Sequence, residues 1–313
     1  MGKYKRVVLA IGGNALLDPK GGKSAKFQLE KAKGISTTII DLVEEGYELV
    51  LVHGNGPQVG QIFAAHQLAQ ENSMPLAEST AMSQGYIGYH LQNTITNEAK
   101  RRNLSNQAIT VISQIEVDRN DEKFNNPDKP IGFNMNKDEA DSLKNTYGYS
   151  VREDLNGGWR RVVPSPIPVN VVELDLIRSL VEAGYITIAA GGGGIPVVKE
   201  KDGSYSGVDA VIDKDYAALK LAIELDADYF LLLTSVEKVA LDYGTPNQRD
   251  MDKLTVEEGK KLMDQGVFEA GSILPKVHAA CLFADSKPDG AAIITSLDKC
   301  KEALAGETGT RIY

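Results

Sequence analysis

Three clusters of glycine are the residues whose type and spacing point most directly to chemistry. They are IGGNA at 11–15, HGNGPQVG at 53–60 and AGGGGIP at 190–196, and each directly follows a short apolar run. Glycine lets the backbone adopt positive φ and approach a ligand closely, and a helix that follows presents unpaired N–H groups and the positive end of its dipole. Three such loops at one edge of a sheet predict a surface that binds an anion.

Lysines near predicted helix starts supply the positive charge that an anion site needs. Lys214 and Asp215 stand together at the beginning of one predicted helix, and Lys276 lies near the beginning of another. The helix dipole opposes a positive charge at this end, so these lysines are costly unless an anion lies beside them. We therefore expect them to flank a bound anion rather than to be solvated surface lysines.

Familiar nucleotide-binding patterns are missing from the sequence. It contains no GxxxxGK[ST] motif, and GGNAL at 12–16 lacks the third glycine of a dinucleotide-binding loop. The missing fingerprint disfavours a nicotinamide-dependent oxidoreductase. A protein that handles phosphate without these motifs needs cationic side chains from elsewhere in the chain.

Composition and charge narrow the class of protein. The 313 residues carry a formal net charge of −9, which opposes binding to nucleic-acid phosphates or anionic lipid surfaces. Cys281 and Cys300 have no metal-ligand spacing, and two thiols in a chain of this length fit a reducing cytoplasm. No apolar run approaches the roughly 18–20 residues of a membrane helix, and the N-terminal segment leads into a glycine turn instead of a signal-peptide cleavage pattern. We expect a cytoplasmic protein with no nucleic-acid or membrane partner.

Apolar runs alternate with amphipathic segments along the chain. The runs at 6–11, 47–52, 108–113, 185–190, 229–234 and 291–295 are predicted to be strands. Several are apolar at every position, which indicates burial on both faces and hence a parallel sheet between helices. Helices are predicted at 28–45, 172–183 and 213–225, with Gly46 and Gly184 ending the first two. The pattern is typical of an α/β fold.

The stretch from about 117 to 168 interrupts this alternation. It is rich in Asn, Asp, Gly, Pro and aromatic residues and lacks a long apolar run. Two extended segments, YSVRED at 149–154 and GGWRRVVPSP at 157–166, are separated by turn residues, which predicts a hairpin. We expect a small protruding subdomain here.

Ten strings in order resemble the carbamate kinases of the amino-acid-kinase superfamily. They are GGNAL, HGNGPQVG, AMSQGYIGY, NPDKPIG, GWRRVVPSP, GGGGIPVV, GVDAVIDKD, DYGTPNQ, AGSILPK and GTRI. The resemblance covers nearly the whole chain, from Val8 to Arg311. The resemblance implies a three-layer α/β/α sandwich with a mainly parallel open sheet. It also implies an N-terminal lobe, 1–212, that binds carbamoyl phosphate or carbamate and includes the subdomain, and a C-terminal nucleotide-binding lobe, 213–313. The implied reaction is carbamoyl phosphate with ADP giving ATP and carbamate, with Mg²⁺ held mainly by the nucleotide phosphates, in a homodimer.

The resemblance also implies a role for individual residues. Those expected to bind the transferred phosphoryl group and carbamate are Gly12, Gly13, Asn14, Gly54, Asn55 and Gly56. The expected catalytic residues are Lys129, Lys214, Asp215 and Lys276, with Asp215 orienting the lysines. Those expected on the nucleotide side are Thr234, Val236, Tyr243, Gly271 and Ser272. Phosphoryl transfer needs positioning and charge stabilisation more than proton transfer, so no histidine is assigned as a base, and His53 is interpreted as structural.

Lys129 is the least obvious of these assignments. It lies in NPDKPIG at 126–132, inside the predicted subdomain, and supplies a charge that the GGN loop lacks. Pro127 and Pro130 restrict the backbone around it, which lowers the entropy lost when the side chain is held over a site. We expect the subdomain to act as a lid, with Lys129 far from the glycine loops until substrate binds. The alternative is a solvent-exposed lysine in a polar loop.

Other functions remain open on the sequence alone. The chain resembles a superfamily that also phosphorylates larger acceptors, such as acylated amino acids, glutamate or nucleoside monophosphates, and a catalytically silent nucleotide or anion sensor is conceivable on the same fold. At the hairpin tip, where the family commonly has an arginine, this chain has Asn156, Gly157 and Gly158. The turn thereby loses a cation, which puts in doubt any arginine-dependent contact from the hairpin tip, though not the lysines.

Overall fold

A computed structural model describes residues 5–12, 16, 24–68, 74–154, 157–269 and 271–313. The helices in these ranges are α1 (Ala25–Glu44), α2 (Gly56–Leu68), α3 (Leu76–Arg101), α4 (Lys137–Tyr147), α5 (Leu174–Glu182), α6 (Lys214–Glu224), α7 (Val256–Asp264), α8 (Leu274–Ser286) and α9 (Cys300–Ala305). The strands are β1 (Lys5–Ile11), β2 (Tyr47–His53), β3 (Ala108–Thr110), β4 (Gln114–Val117), β5 (Lys129–Met135), β6 (Val151–Glu153), β7 (Trp159–Val163), β8 (Pro168–Val171), β9 (Ile186–Ile188), β10 (Ile195–Lys199), β11 (Tyr205–Gly207), β12 (Tyr229–Thr234), β13 (Val239–Leu241), β14 (Arg249–Met251), β15 (Lys253–Leu254), β16 (Ala291–Ser296) and β17 (Thr310–Ile312).

The central sheet has the strand order β15-β17-β16-β12-β1-β2-β9-β3 within the described ranges. Neighbouring strands are parallel except for the antiparallel pair β16 and β17. All six runs predicted to be strands lie in this sheet, so the mainly parallel sheet is confirmed. Strands from 213–313 occupy the side of the sheet beginning at β12, and β1, β2, β9 and β3 occupy the other, so the two predicted lobes share one sheet.

Successive residues of β1 belong to two separate hydrophobic clusters. Val7 and Leu9 are buried in the cluster that includes Ile39 of α1. Val8 is buried in the cluster that includes Leu221 of α6. Because alternate side chains of a strand point to opposite faces, the sheet has a helical layer on each side. This confirms the three-layer α/β/α sandwich.

Glycines end two of the predicted helices as expected. Gly46 has φ 86° and donates its N–H to the carbonyl of Val43 at 2.9 Å. Gly184 has φ 85° and bonds in the same way to Val181 at 2.9 Å. Positive φ at this position lets the chain leave the helix while the last carbonyls stay bonded.

The predicted subdomain is built on a three-stranded antiparallel sheet of order β5-β7-β6. β6 and β7 are the two arms of the predicted hairpin, which is confirmed. The chain enters the subdomain after β4 and returns at β8, and these two strands pair antiparallel in a second sheet of order β11-β10-β4-β8. β4 and β8 were not predicted, because both are short and half-exposed.

Helix α4 inside the subdomain was also not predicted. Its buried residue is Ala140, so it lacks the apolar stripe by which helices are recognised in a sequence. It begins instead with a capping box, in which the side chain of Asn136 accepts the N–H of Glu139 and the Glu139 side chain accepts the N–H of Asn136.

Within the described ranges, no helix combines the length and apolarity needed to cross a membrane.

Candidate active site

A cleft of about 370 Å³ opens at the carboxyl ends of β1, β2 and β12. This is the edge at which open parallel sheets bind ligands. Its walls are formed by Ile11, Gly12, Gly54, Asn55, Gly56, Pro57, Lys129, Pro130, Ile131, Gly192, Val211, Ile212, Asp213, Lys214, Asp215, Leu233, Thr234, Ser235, Gly271, Ser272, Lys276 and Leu297. The cleft therefore brings together residues from the first, second and third glycine clusters, the subdomain and the C-terminal segment.

The first two glycine loops are joined directly beneath this cleft. The N–H of Gly54 donates to the carbonyl of Ile11 at 2.8 Å, so the ends of β1 and β2 are fixed to each other. Gly12, Gly54 and Gly56 lie on the cleft wall, as predicted. Gly13 and Asn14, which were predicted beside them, lie outside the described residues.

Asn55 is held in place by a residue that the sequence did not single out. Its side chain is buried, and its Nδ2 donates to Oγ of Ser83 at 2.7 Å. Ser83 in turn donates to the carbonyl of Thr80 at 2.7 Å, which fixes the hydroxyl as an acceptor toward Asn55. Ser83 belongs to the AMSQGYIGY string, but nothing in the spacing of that string indicates a partner for Asn55.

The third glycine cluster serves mainly close packing around the cleft. A Cβ on Gly192 would lie 2.1 Å from Nδ2 of Asn55, and one on Gly193 would lie 2.2 Å from the carbonyl oxygen of Ile212. The glycines at 191 and 194 are similarly crowded by side chains. Of this loop, Gly192 lies on the cleft wall. These glycines make room for Asn55 and for the segment leading into α6, and anion binding by this third loop stays a prediction.

Asp215 connects two of the predicted catalytic lysines. Lys214 Nζ lies 2.9 Å from its Oδ1, and Lys276 Nζ lies 3.1 Å from its Oδ2. Lys276 also donates to the carbonyl of Ser272 at 3.3 Å. The Asp215 carboxylate is buried, so it is the anion that offsets two lysines placed at helix N-termini. The geometry is the one expected for a carboxylate that orients both ammonium groups.

The two ammonium groups differ in their electrostatic environment. Burial and the neighbouring charge of Lys214 lower the pKa of Lys276, and the attraction of Asp215 offsets this only in part. Burial acts in the same direction on Lys214, but the charges of Asp215 and Asp213 outweigh it and raise the pKa of that lysine. Both effects arise because charge is poorly solvated inside the cleft.

Lys129 lies on the cleft wall and forms an ion pair with Asp213. The Asp213 side chain is 13% exposed, so it needs a compensating charge near the cleft. The alternative of a solvent-exposed lysine differs from the structure, since the Lys129 side chain is 28% exposed and paired. Movement of the subdomain as a lid when substrate binds stays a prediction.

Asp213 is a site residue that the sequence analysis missed. Its Oδ1 accepts the N–H of Asp215 at 2.9 Å and so caps α6, while Oδ2 faces Lys129. Burial alone would raise the pKa of this carboxyl, but the charges of Lys129 and Lys214 lower it overall. An aspartate at the start of a helix is an N-cap signal, and Asp213 stands at the start of the helix predicted at 213–225.

The nucleotide-side predictions divide into two groups. Thr234, Gly271 and Ser272 lie on the cleft wall. Val236 and Tyr243, although both are described, do not lie on that wall, and Tyr243 is 66% exposed in the loop after β13. A contact between these two residues and a nucleotide stays a prediction.

The comparisons with known proteins agree with one another. A family model described as "Amino acid kinase family" matches residues 5–295. Carbamate kinase from Clostridium perfringens is 48% identical over 312 residues, which cover 98% of this chain and 99% of that protein. Carbamate kinase from Staphylococcus haemolyticus is 47% identical over 311 residues, with the same coverage. The chain belongs to the carbamate kinases of the amino acid kinase family.

A solved structure supports the same placement within the carbamate kinases. Carbamate kinase from Giardia lamblia bound to AMP-PNP superposes with a TM-score of 0.91 at 39% identity. The match covers 100% of this chain and 99% of that chain. The fold of a carbamate kinase therefore extends over the whole of this sequence.

His53 ends β2 beside the second glycine loop of this carbamate-kinase fold. Burial lowers its pKa to about 4, and its Nδ1 donates to the carbonyl of Gly54 at 3.1 Å. A neutral, fully buried ring in a backbone hydrogen bond is typical of a structural histidine. The geometry thus supports the interpretation made from the sequence.

The carboxylates of the cleft are already paired with lysines. Asp213 faces Lys129, and Asp215 bridges Lys214 and Lys276. Among the described residues, no three His, Cys, Asp or Glu side chains gather in a way that would hold a metal ion. Binding of Mg²⁺ through the nucleotide phosphates stays a prediction.

Proposed function

We propose that the chain catalyses reversible phosphoryl transfer between carbamoyl phosphate and ADP, giving ATP and carbamate. The observation that carries this proposal is the placement of Lys129, Lys214 and Lys276 on one cleft of a carbamate-kinase fold. The three ammonium groups outnumber the carboxylates of Asp213 and Asp215, so the cleft carries a positive excess for a phosphoryl group. The carbamate kinases of Clostridium perfringens and Staphylococcus haemolyticus support the identity of the acceptor.

Charge and position account for the reaction without a general base. Carbamate is already a nucleophilic anion, and phosphoryl transfer has a transition state in which negative charge spreads over the equatorial oxygens. The backbone of Gly12 and Gly54 lets those oxygens approach closely, and Lys214 and Lys276 are held beside them by Asp215. Ammonium groups oriented in advance stabilise this charge without reorganising during the reaction.

Lys129 approaches the cleft from the subdomain side. Its ammonium group is paired with Asp213, so a phosphoryl group bound beside it has to share Lys129 with that carboxylate. Mg²⁺, when bound with the nucleotide, supplies further neutralisation of the β- and γ-phosphate charge. Thr234, Gly271 and Ser272 are placed to contact the nucleotide.

The test measures ATP formation from carbamoyl phosphate and MgADP with a coupled enzyme assay. We expect turnover with carbamoyl phosphate, and turnover lower by about a hundredfold or more with the Lys214→Ala variant. Glutamate, N-acetylglutamate and UMP, each supplied with ATP, are the competing acceptors. The proposal is overturned if the wild-type chain makes no ATP from carbamoyl phosphate, or if one of the other acceptors is phosphorylated faster than carbamate.

We also propose that the protein is a cytoplasmic homodimer, as the resemblance implied. The surface that supports this is a groove of about 540 Å³ between α3 and β3, the last strand in the order of the described sheet. Tyr89 and Ile112 line it and are 60% and 47% exposed. Exposed apolar groups beside a terminal strand are typical of a subunit contact. Sedimentation equilibrium should give twice the chain mass, and a monomer at micromolar concentration would contradict the proposal.

A further inference from the structure

Gly60, the last glycine of HGNGPQVG, does not line the cleft, but it makes an unusually close backbone contact. It lies in α2, and a Cβ added to it would be 2.1 Å from Cα and 2.4 Å from N of Gly132. Real Cβ atoms essentially never approach other atoms within 3.0 Å. The backbones of α2 and β5 therefore touch directly, which is possible because position 60 has no side chain.

Gly132 has a second reason to be glycine. Its φ is +70°, a region that residues with a Cβ rarely adopt. It lies where the pairing of β5 with β7 becomes irregular, between Ile131 and Met135. The strand thus bends at the point where it crosses α2.

An aromatic stack joins the same two parts of the molecule. The guanidinium of Arg161, on β7, lies 3.7 Å from the ring centre of Tyr149 and 4.2 Å from that of Phe63, on α2. Tyr147, at the end of α4, stacks on Tyr149 with ring centres 5.5 Å apart and planes 14° apart. Arg161 is buried, so its cation–π contacts are largely shielded from water. We call the contact between Gly60 and Gly132, together with the Arg161 stack, the α2 dock.

Each glycine of the α2 dock is only a few residues along the chain from a residue that lines the cleft. Gly56, on the cleft wall, is the first residue of α2, and Gly60 follows four residues later, about 6 Å along the helix. On the other side, Lys129 begins β5 and Gly132 follows three residues later, about 10 Å along the strand. The dock thereby fixes the distance between the second glycine loop and Lys129.

We propose that Gly60 and Gly132 are positioning residues for Lys129, acting through the α2 dock. This inference rests on the proposed function, in which Lys129 contacts the transferred group. A methyl group at position 60 has to displace β5 from α2, and the displacement is carried three residues along the strand to the Lys129 ammonium. Lys129 then moves away from Asp213 and from the cleft.

The first test measures the position of Lys129 without using activity. The native protein is treated with N-hydroxysuccinimide acetate, and the rate at which Lys129 is acetylated is measured by digestion of quenched samples and mass spectrometry of the peptides. We expect Gly60→Ala to raise this rate several-fold, because the ion pair with Asp213 is lost. Gly34→Ala is the matched control, since a Cβ there, on the exposed face of α1, meets no atom within 4 Å. An unchanged rate in Gly60→Ala overturns the proposal.

The second test measures kinetics. Gly60→Ala should lower kcat/KM for carbamoyl phosphate by about 10- to 100-fold, the effect of a misplacement near 1 Å, while KM for ADP changes less than about twofold. In a Lys129→Ala background, Gly60→Ala should lower kcat/KM for carbamoyl phosphate by less than about twofold, because the ammonium group that Gly60 positions is gone. Fully additive losses would show that the dock acts by another route and would overturn the proposal.

A milder variant covers the case in which Gly60→Ala does not fold. Arg161→Lys keeps the positive charge but removes the planar group that stacks between Phe63 and Tyr149. It should raise Lys129 acetylation in the same direction, and unchanged acetylation in a folded Arg161→Lys protein also overturns the proposal. If the wild-type chain makes no ATP, the proposed function fails on its own assay, and the acetylation rates still decide whether the dock holds Lys129.

Discussion

Lys276 and Asp215 are 61 positions apart in the sequence and meet at 3.1 Å in the cleft. The same carboxylate binds Lys214 through its other oxygen. One buried anion therefore sets the positions of two cations that belong to different helices, α6 and α8. This relationship determines how substitutions in the cleft should behave.

Replacing either lysine should impair catalysis much more than folding. Lys214→Ala and Lys276→Ala are each expected to lower turnover by about a hundredfold or more, because each removes charge stabilisation from the transition state. Asp215 keeps one lysine partner in either variant, so it does not become an unpaired buried charge. Coupled kinetics with a parallel thermal melt would measure both effects. Turnover near the wild-type value in a stable variant would remove that lysine from the mechanism.

Asp213 should show two separable roles. Asp213→Asn keeps a side-chain oxygen that can cap α6 but removes the charge that faces Lys129. Asp213→Ala removes both, and should be about 1 kcal/mol less stable than the asparagine variant, the usual value of an N-cap. Denaturant unfolding of the pair would measure this difference. Equal stabilities would mean that the cap observed between Asp213 and Asp215 contributes nothing.

Both Asp213 variants should change the behaviour of Lys129 to a similar extent. Without the carboxylate, the ammonium group has no fixed partner in the ligand-free protein, and its acetylation should be faster in both. A difference between the two variants in this rate would indicate that the cap, and not the charge, holds Lys129.

His53 should make the protein less stable in mild acid. Its pKa is about 4 in the folded protein against an ordinary 6.5, so between these values the unfolded chain binds a proton that the folded chain does not. The contribution of neutral His53 to the free energy of unfolding is complete above about pH 6.5. It is lost as the pH falls toward 4, at up to about 1.4 kcal/mol per pH unit. Urea unfolding at several pH values would measure the slope. His53→Asn, which keeps a donor for Gly54, should lack this component, and an identical slope in the variant would assign the effect to other groups.

Both cysteines should be unreactive in the native protein. Cys281 and Cys300 are buried, and burial raises their pKa values to about 11 and about 12. The thiolate is the reactive form, so a thiol reagent at neutral pH meets neither access nor a nucleophile. Titration with a chromogenic disulfide should detect no thiol in the native protein and two after denaturation. Rapid reaction of one thiol before unfolding would contradict the packing around it.

Local sequence features predicted the central sheet and much of the cleft. The runs that became β1, β2 and β12 are apolar at nearly every position, and burial on both faces of a parallel sheet is the state that such runs favour. Because parallel strands end at one edge, the glycines that directly follow β1 and β2, Gly12 and Gly54, could be placed at one site from the sequence.

Prediction from local sequence features failed for elements whose stabilising contacts are not apolar or not regularly spaced. α4 was missed because a capping box, and not a hydrophobic stripe, defines its start. The third glycine cluster was interpreted as an anion loop, and the sequence did not indicate that the close approach of Asn55 and Ile212 also requires those glycines. A glycine needed for packing and a glycine needed for a ligand are identical in the sequence, so their neighbours in space have to be known.

The sequence by itself determined the fold class, the family resemblance and the lysines of the cleft, since these depend on composition, periodicity and short motifs. The tertiary structure decided which groups meet. Lys129 is 84 positions from Asp213, and Gly60 is brought against Gly132 by the crossing of α2 and β5. Such contacts depend on how separate elements pack. The local sequence around each residue fits its own helix or strand with or without the distant partner, so it does not reveal the contact.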